Sequence, residues 1–115
     1  MKIRIKDNSI RLRLSQNEVS QLVSNGSVES SCKIGSSVLR YGVKSTTGEE
    51  ISSDFADTTI TVRVPQSLLT DWDTDQRVGF DKRKDDLYIL IEKDWQCLKP
   101  RDHENESNLY RHPAS

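Results

Sequence analysis

Two stretches of this chain follow one pattern fifty residues apart. Ile10 falls on Ile60, Leu12 on Val62, Arg13 on Arg63, Leu14 on Val64, Ser15 on Pro65, Gln16 on Gln66, Val19 on Leu69, Leu22 on Trp72 and Val28 on Val78, without a gap. Any two strand–helix–strand units share a binary pattern, so the apolar matches alone carry little weight. Arg13/Arg63 and Gln16/Gln66 in the same register go further and point to an internal duplication. The unit this predicts is strand, short helix, strand, strand, over 9–44 and again over 59–93. Helices this short bury little alone, so each must lie on a sheet.

The local signals fill in the unit. Ile3 and Ile5 alternate with Lys2, Arg4 and Lys6, and Ile10, Leu12 and Leu14 alternate with Ser9, Arg11 and Arg13. Asp7-Asn8 between them suits a tight turn, which predicts a β-hairpin. Ser15-Gln16-Asn17-Glu18 is a capping box, Val19, Leu22 and Val23 form one helical stripe, and Asn25-Gly26 can end the helix. Strands are expected near 28–34 and 37–44, with a turn at Gly35-Ser36, and the polar stretch 45–58 is expected to be a loop. Ile60, Val62 and Val64 alternate again. Pro65 suits a helix start, and Leu68, Leu69 and Trp72 form its stripe. A strand begins near Val78 and Phe80, Asp81 to Asp86 forms a charged loop, and Leu87 to Ile91 is apolar enough for a strand buried on both faces.

Composition then bounds the class. Apolar residues make up 33% of the 115 and charged residues 30%, but 17 Lys and Arg against 18 Asp and Glu leave a net charge of −1. A cancelled balance argues against nucleic acid or a membrane as a bulk electrostatic partner. No apolar run approaches a membrane span, and the start of the chain alternates charge with Ile rather than forming a signal peptide, so the expected compartment is the cytoplasm. Two cysteines make no disulfide framework. After Leu98 there is almost nothing to bury, so the expectation is one α+β domain over 1–98 and a polar tail over 99–115.

The expected architecture is a curled, mainly antiparallel sheet or barrel of about seven strands, with two helices on one side. Its apolar face carries Ile3, Ile5, Ile10, Leu12, Leu14, Ile60, Val62 and Val64 toward Val19, Leu22, Val23, Leu68, Leu69 and Trp72. The opposite face carries Lys2, Arg4, Lys6, Arg11, Arg13 and Arg63, with Lys33 and Arg40. Such a row is either a solvated face that blunts aggregation or an anion site, for which the planar fork of Arg is well suited. Arg4, Arg11, Arg13, Arg40 and Arg63 are the candidate ligand-binding residues.

Two resemblances bear on this face. The opening strand Met1 to Leu14 and the segment Leu90-Ile91-Glu92-Lys93-Asp94-Trp95-Gln96-Cys97-Leu98 resemble a family of small, uncharacterised bacterial proteins, a domain of unknown function. That likeness spans nearly the whole chain and implies no activity. The duplicated unit with Arg-lined strands is also similar in plan to the triphosphate-tunnel superfamily of class IV adenylate cyclases and thiamine triphosphatases. That similarity implies a wide antiparallel barrel holding a triphosphate. The superfamily's first strand alternates Glu with Glu and Lys to hold a metal, whereas here it is Lys2-Ile3-Arg4-Ile5-Lys6, with no carboxylate for a Mg²⁺ ion.

Other chemistry has weaker signals. Cys97, His103 and His112, with Cys32 as a conceivable fourth ligand, match no compact zinc motif. Cys97 as a nucleophile has no base of fixed geometry. Glu92 either ends a strand in water or faces Arg13 and Arg63 in a pocket. Trp72 is expected to anchor the core, and Trp95 is the better candidate for an exposed contact. Asp102, Glu104 and Glu106 could fold back on the basic face. No catalytic residue, metal or cofactor is expected. The leading reading is a non-catalytic module for an anionic small molecule or acidic protein. The alternatives are a degenerate phosphohydrolase of the tunnel type and a structural protein whose basic face meets a second copy in a homodimer.

Overall fold

A computed structural model describes residues 1–94. The expected tail, and with it Trp95, Cys97, His103 and His112, lies outside the described residues. The elements in order are β1 (Lys2–Lys6), β2 (Ser9–Leu14), α1 (Gln16–Asn25), β3 (Ser27–Ile34), β4 (Ser37–Thr46), β5 (Ser52–Ala56), β6 (Thr59–Pro65), α2 (Gln66–Leu69), β7 (Gly79–Lys84) and β8 (Leu87–Lys93).

Four hairpins account for all eight strands, and their turns have a common cause. Each closes over two residues and uses left-handed backbone, at Asp7 (φ 50°), Gly35 (φ 60°), Asp57 and Thr58 (φ 53° and 54°), and Asp85 and Asp86 (φ 52° and 71°). Gly and Asp tolerate that region better than most residues, and the primed turns it permits match the twist of the flanking strands. The charged loop expected over 81–86 therefore shrinks to Asp85-Asp86, because strand pairing continues to Lys84↔Leu87. The loop expected over 45–58 likewise contains β5, an edge strand too polar to stand out by alternation, which pairs with β6 from Ser52↔Arg63 to Ala56↔Thr59.

The hairpins do not form one sheet. They form two mixed four-stranded sheets, ordered β1-β2-β8-β7 and β3-β4-β6-β5, and neither closes into a barrel. Each sheet takes one hairpin from each half of the chain, joined through a parallel pair, β2 with β8 and β4 with β6. This corrects the single curled sheet. Alternation fixes which side chains share a face of a strand, but it does not tell which hairpins lie side by side.

The strand–helix–strand–strand order expected of each half is found in both, each preceded by one further strand. The pairings β1–β2 and β5–β6 share a register at the fifty-residue offset, Lys2↔Arg13 against Ser52↔Arg63. The parallel joints do not. Arg13 stands beside Glu92, whereas Arg63 stands beside Lys44 rather than Gly42.

α1 forms as expected. Ser15 Oγ accepts from the Glu18 amide at 3.3 Å, the Glu18 carboxylate accepts from the Ser15 amide at 2.8 Å, and Gly26 ends the helix at φ 86°. Its counterpart is a single turn. Pro65 completes β6 and offers no capping side chain. Beyond Leu69 the chain turns through Asp71 (φ 64°), and the Arg77 guanidinium ties the segment down by donating to Leu68 O and Thr70 O, each at 2.7 Å, and to Asp75 at 2.6 Å.

One core joins both sheets and both helices. Leu12, Leu14, Ile89 and Ile91 meet Val28, Val43, Val62 and Val64, with Val19, Leu22, Leu69 and Trp72 among them. Ile3, Ile10, Val23 and Leu68 reach this core only in part, and Ile5 stays 56% exposed at the turn end of its hairpin. β8 is buried on one face only: Ile89 and Ile91 are buried, with Leu87 packed against the same core, while Tyr88 and Leu90 on the other face are half-buried. Gly79 is required where β7 begins its pairing with β8, opposite Glu92, because a Cβ there would sit 2.2 Å from Ile91 O. Among the described residues no helix is long and apolar enough to cross a membrane.

Candidate anion-binding face

The surface of the β1-β2-β8-β7 sheet turned away from the core carries the strongest charge pattern. Register places Lys2 opposite Arg13 and Arg4 opposite Arg11 on β1 and β2, with Lys6 opposite Ser9. Directly opposed like charges destabilise a strand pair. The next strand answers part of that repulsion. β8 sets Tyr88 beside Ser9, Leu90 beside Arg11 and Glu92 beside Arg13.

Glu92 organises this row. Its Oε2 accepts from Arg11 Nε at 2.6 Å and from Arg13 Nε at 2.8 Å, and its side chain is only 12% exposed. Burial alone would raise its pKa. The hydrogen bonds and charges of Arg11 and Arg13 outweigh burial and hold the carboxyl below its usual value. Each arginine spends only its Nε–H on Glu92. Among the described residues, the terminal amino groups of both guanidiniums have no protein acceptor. Lys2 is held by Asp94 at 3.2 Å, while Arg4 and Lys6 make no ion pair among the described residues.

The surface is dented. One depression of about 190 Å³ is lined by Lys2, Ile3, Arg4, Arg11 and Arg13, and an adjoining one of about 200 Å³ by Arg4, Lys6, Ser9, Ile10, Arg11, Tyr88 and Leu90. Arg4 and Arg11 border both. At the far side, the Tyr88 hydroxyl donates to Asp81 at 2.8 Å, which keeps its proton on more firmly than usual, and Arg83 lies 5.3 Å from the centre of its ring.

Arg4, Arg11 and Arg13 are thus brought together, and Arg40 and Arg63 are not. Arg40 lies on β4 beside Thr59, and Arg63 lies on β6 beside Lys44, with Asp54 at 2.6 Å. Both belong to the outward surface of the other sheet. The physical reason is the exchange of hairpins: the fifty-residue equivalents β2 and β6 lie in different sheets. Glu92 faces Arg13 as considered, but its second partner is Arg11 rather than Arg63. No local signal in the sequence reveals that pairing, because it depends on the parallel register of strands 79 residues apart. The described residues also hold no group of three or more His, Cys, Asp and Glu that could bind a metal ion, and Cys32 is exposed.

A family model described as a family of unknown function, DUF7009, matches residues 1–114. No curated protein and no solved structure matches the chain.

Proposed function

The chain belongs to the DUF7009 family, a family of unknown function, and we propose that it is a non-catalytic module that binds an anionic ligand, phosphate-bearing or acidic, on the outward surface of β1 and β2. The observation that supports this reading most is the state of Arg11 and Arg13. Glu92 fixes both side chains through Nε and, among the described residues, nothing accepts from their outer N–H groups, which can grip an oxyanion. A guanidinium already held in place loses less conformational entropy on binding, and its planar fork matches phosphate or carboxylate. Arg4 stands opposite Arg11 and adds a third donor between the two depressions. Arg40 and Arg63 could serve only a separate ligand on the other sheet.

A phosphohydrolase of the tunnel type has less support. The sheets do not close, so the arginines face open solvent rather than a lumen. β1 supplies no carboxylate, and Glu92 is engaged by two arginines.

Titration with pyrophosphate at low salt tests the proposal. Binding by the intact chain is expected, with affinity falling as salt rises. Arg4→Gln, which breaks no ion pair among the described residues, is expected to weaken it about tenfold, the scale of one charge-assisted contact at about 1.5 kcal/mol. Absence of heat or chemical-shift change at millimolar pyrophosphate would end the proposal.

A further inference from the structure

Among the described residues the two sheets end in four edge strands, β1 and β7 in one and β3 and β5 in the other. An open edge pairs with any strand that fits it, unless like charge, shortness or a bulge prevents it. β3 is the least defended. At eight residues it is the longest of the four, and it pairs with β4 without interruption from Ser27↔Lys44 to Ile34↔Ser37. Every residue from Ser31 to Ile34 is exposed. In a hairpin closed over two residues the closing pair, here Ile34 and Ser37, exchanges hydrogen bonds. Alternation then turns the N–H and C=O groups of Glu29, Ser31 and Lys33 to the open side.

A strand that pairs with its own copy about a two-fold axis runs antiparallel and sets one residue opposite itself. At the centre of β1 that residue is Arg4, at the centre of β5 it is Asp54, and in β7 it is Asp81 or Lys82. Each of these edges would set like charges against each other. β3 differs, because Ser31 stands at its centre. Pairing through Ser31 sets Glu29 opposite Lys33 of the second copy, Ser30 opposite Cys32 and Val28 opposite Ile34, each twice. Glu29 and Lys33 are exposed and make no ion pair among the described residues, and Ile34 is 60% exposed.

We propose that the chain forms a two-fold dimer in which β3 pairs antiparallel with β3 of a second copy, centred on Ser31. The two β3-β4-β6-β5 sheets then join into one sheet of eight strands. Backbone hydrogen bonds supply the affinity, and the Glu29–Lys33 and Val28–Ile34 pairs fix the register. Arg4, Arg11 and Arg13 lie in the other sheet, so this dimer does not depend on the anion site.

Sedimentation velocity over a concentration series tests the dimer, and charge exchange tests its surface. Glu29→Lys and Lys33→Glu each set like charges opposite one another twice, and each is expected to weaken the dimer about tenfold. The double variant Glu29→Lys/Lys33→Glu restores both opposite-charge pairs and is expected to recover the dimer. A chain that stays monomeric at millimolar concentration overturns the proposal. So does a dimer indifferent to both single changes, or a double variant no tighter than either single one. Ser31→Cys, in a chain with Cys32→Ser and Cys97→Ser, reads the register without disturbing any charge. Directly opposed residues of such a pair have Cα atoms about 5.5 Å apart, within the range of a disulfide, so mild oxidation should link the two copies. A dimer that fails to link through residue 31 overturns the assignment to β3.

Discussion

Replacing Trp72 with Ala is expected to cost about 3–5 kcal/mol of stability, the range for truncating a buried aromatic residue. A domain of this size has a total stability of about 5–15 kcal/mol, so the variant should be close to unfolding at physiological temperature. Trp72 is fully buried and packs its ring 4.8 Å from that of Phe80 on β7, at a tilt of 52°. Its Nε1–H donates to Arg77 O at 3.0 Å, and the Lys93 ammonium lies 5.7 Å from the ring. Trp72 therefore ties the segment after α2 to the β7-β8 hairpin. The Ala variant loses the apolar burial, the ring contact and the hydrogen bond together. Urea unfolding monitored by circular dichroism measures the loss, and an unchanged midpoint would contradict the core assignment. Trp72→Phe keeps most of the bulk and loses the donor, so about 1–2 kcal/mol is expected for it.

Trp72 also marks what the sequence made legible. Its burial follows from its size and from its place opposite Leu22 in the fifty-residue alignment. Its local structure does not follow. In α1 a Ser–Glu capping box and a left-handed Gly26 support ten helical residues. Its counterpart begins after Pro65, lacks a side-chain cap and ends within one turn at Leu69. A matching apolar stripe therefore hid a difference in capping. The hairpins were legible where turn chemistry and alternation agreed, as at Asp7-Asn8. β5 was hidden by its composition, Ser-Ser-Asp-Phe-Ala.

Sheet order was the larger loss. Hairpins form from neighbours in sequence, and local rules reach them. The β2–β8 and β4–β6 joints pair strands from opposite halves of the chain. Two half-chain stretches of similar apolar pattern are equally consistent with one continuous sheet and with two sheets that exchange hairpins. That ambiguity decided the site as well. Arg13 and Arg63 are equivalent in sequence, yet one stands beside a carboxylate and the other beside Lys44. The family resemblance carried by the first strand and the Glu92 segment joined two stretches that are neighbours in space, β1–β2 and β8.

Glu92→Gln is the most informative change on that surface, because it should move stability and affinity in opposite directions. At neutral pH it removes the anionic acceptor shared by two charge-assisted hydrogen bonds and leaves Arg11 and Arg13 to repel each other. Bonds of this kind contribute about 1.5–3 kcal/mol each. With both arginine side chains about a third exposed, water recovers part of that, and a net loss of about 2–3 kcal/mol is expected. The same change raises the net charge of the surface by one, and this added attraction outweighs the loss of the positioning that Glu92 gives the two forks, so pyrophosphate should bind about tenfold more tightly. Acid should expose the same link. The folded-state pKa of Glu92 lies below its usual 4.5, so its contribution is complete above that value and is lost as pH falls through the lower one. Glu18 and Asp75 are depressed in the same direction, so the intact chain loses stability in acid for several reasons. The difference between wild type and Glu92→Gln isolates one of them. The gap in unfolding free energy should be constant from pH 7 to about 5 and narrow below 4.5. A gap that stays open at low pH would mean that Glu92 does not hold these arginines through its charge, and a variant that binds pyrophosphate less well would mean that positioning of the forks by Glu92 outweighs the added charge.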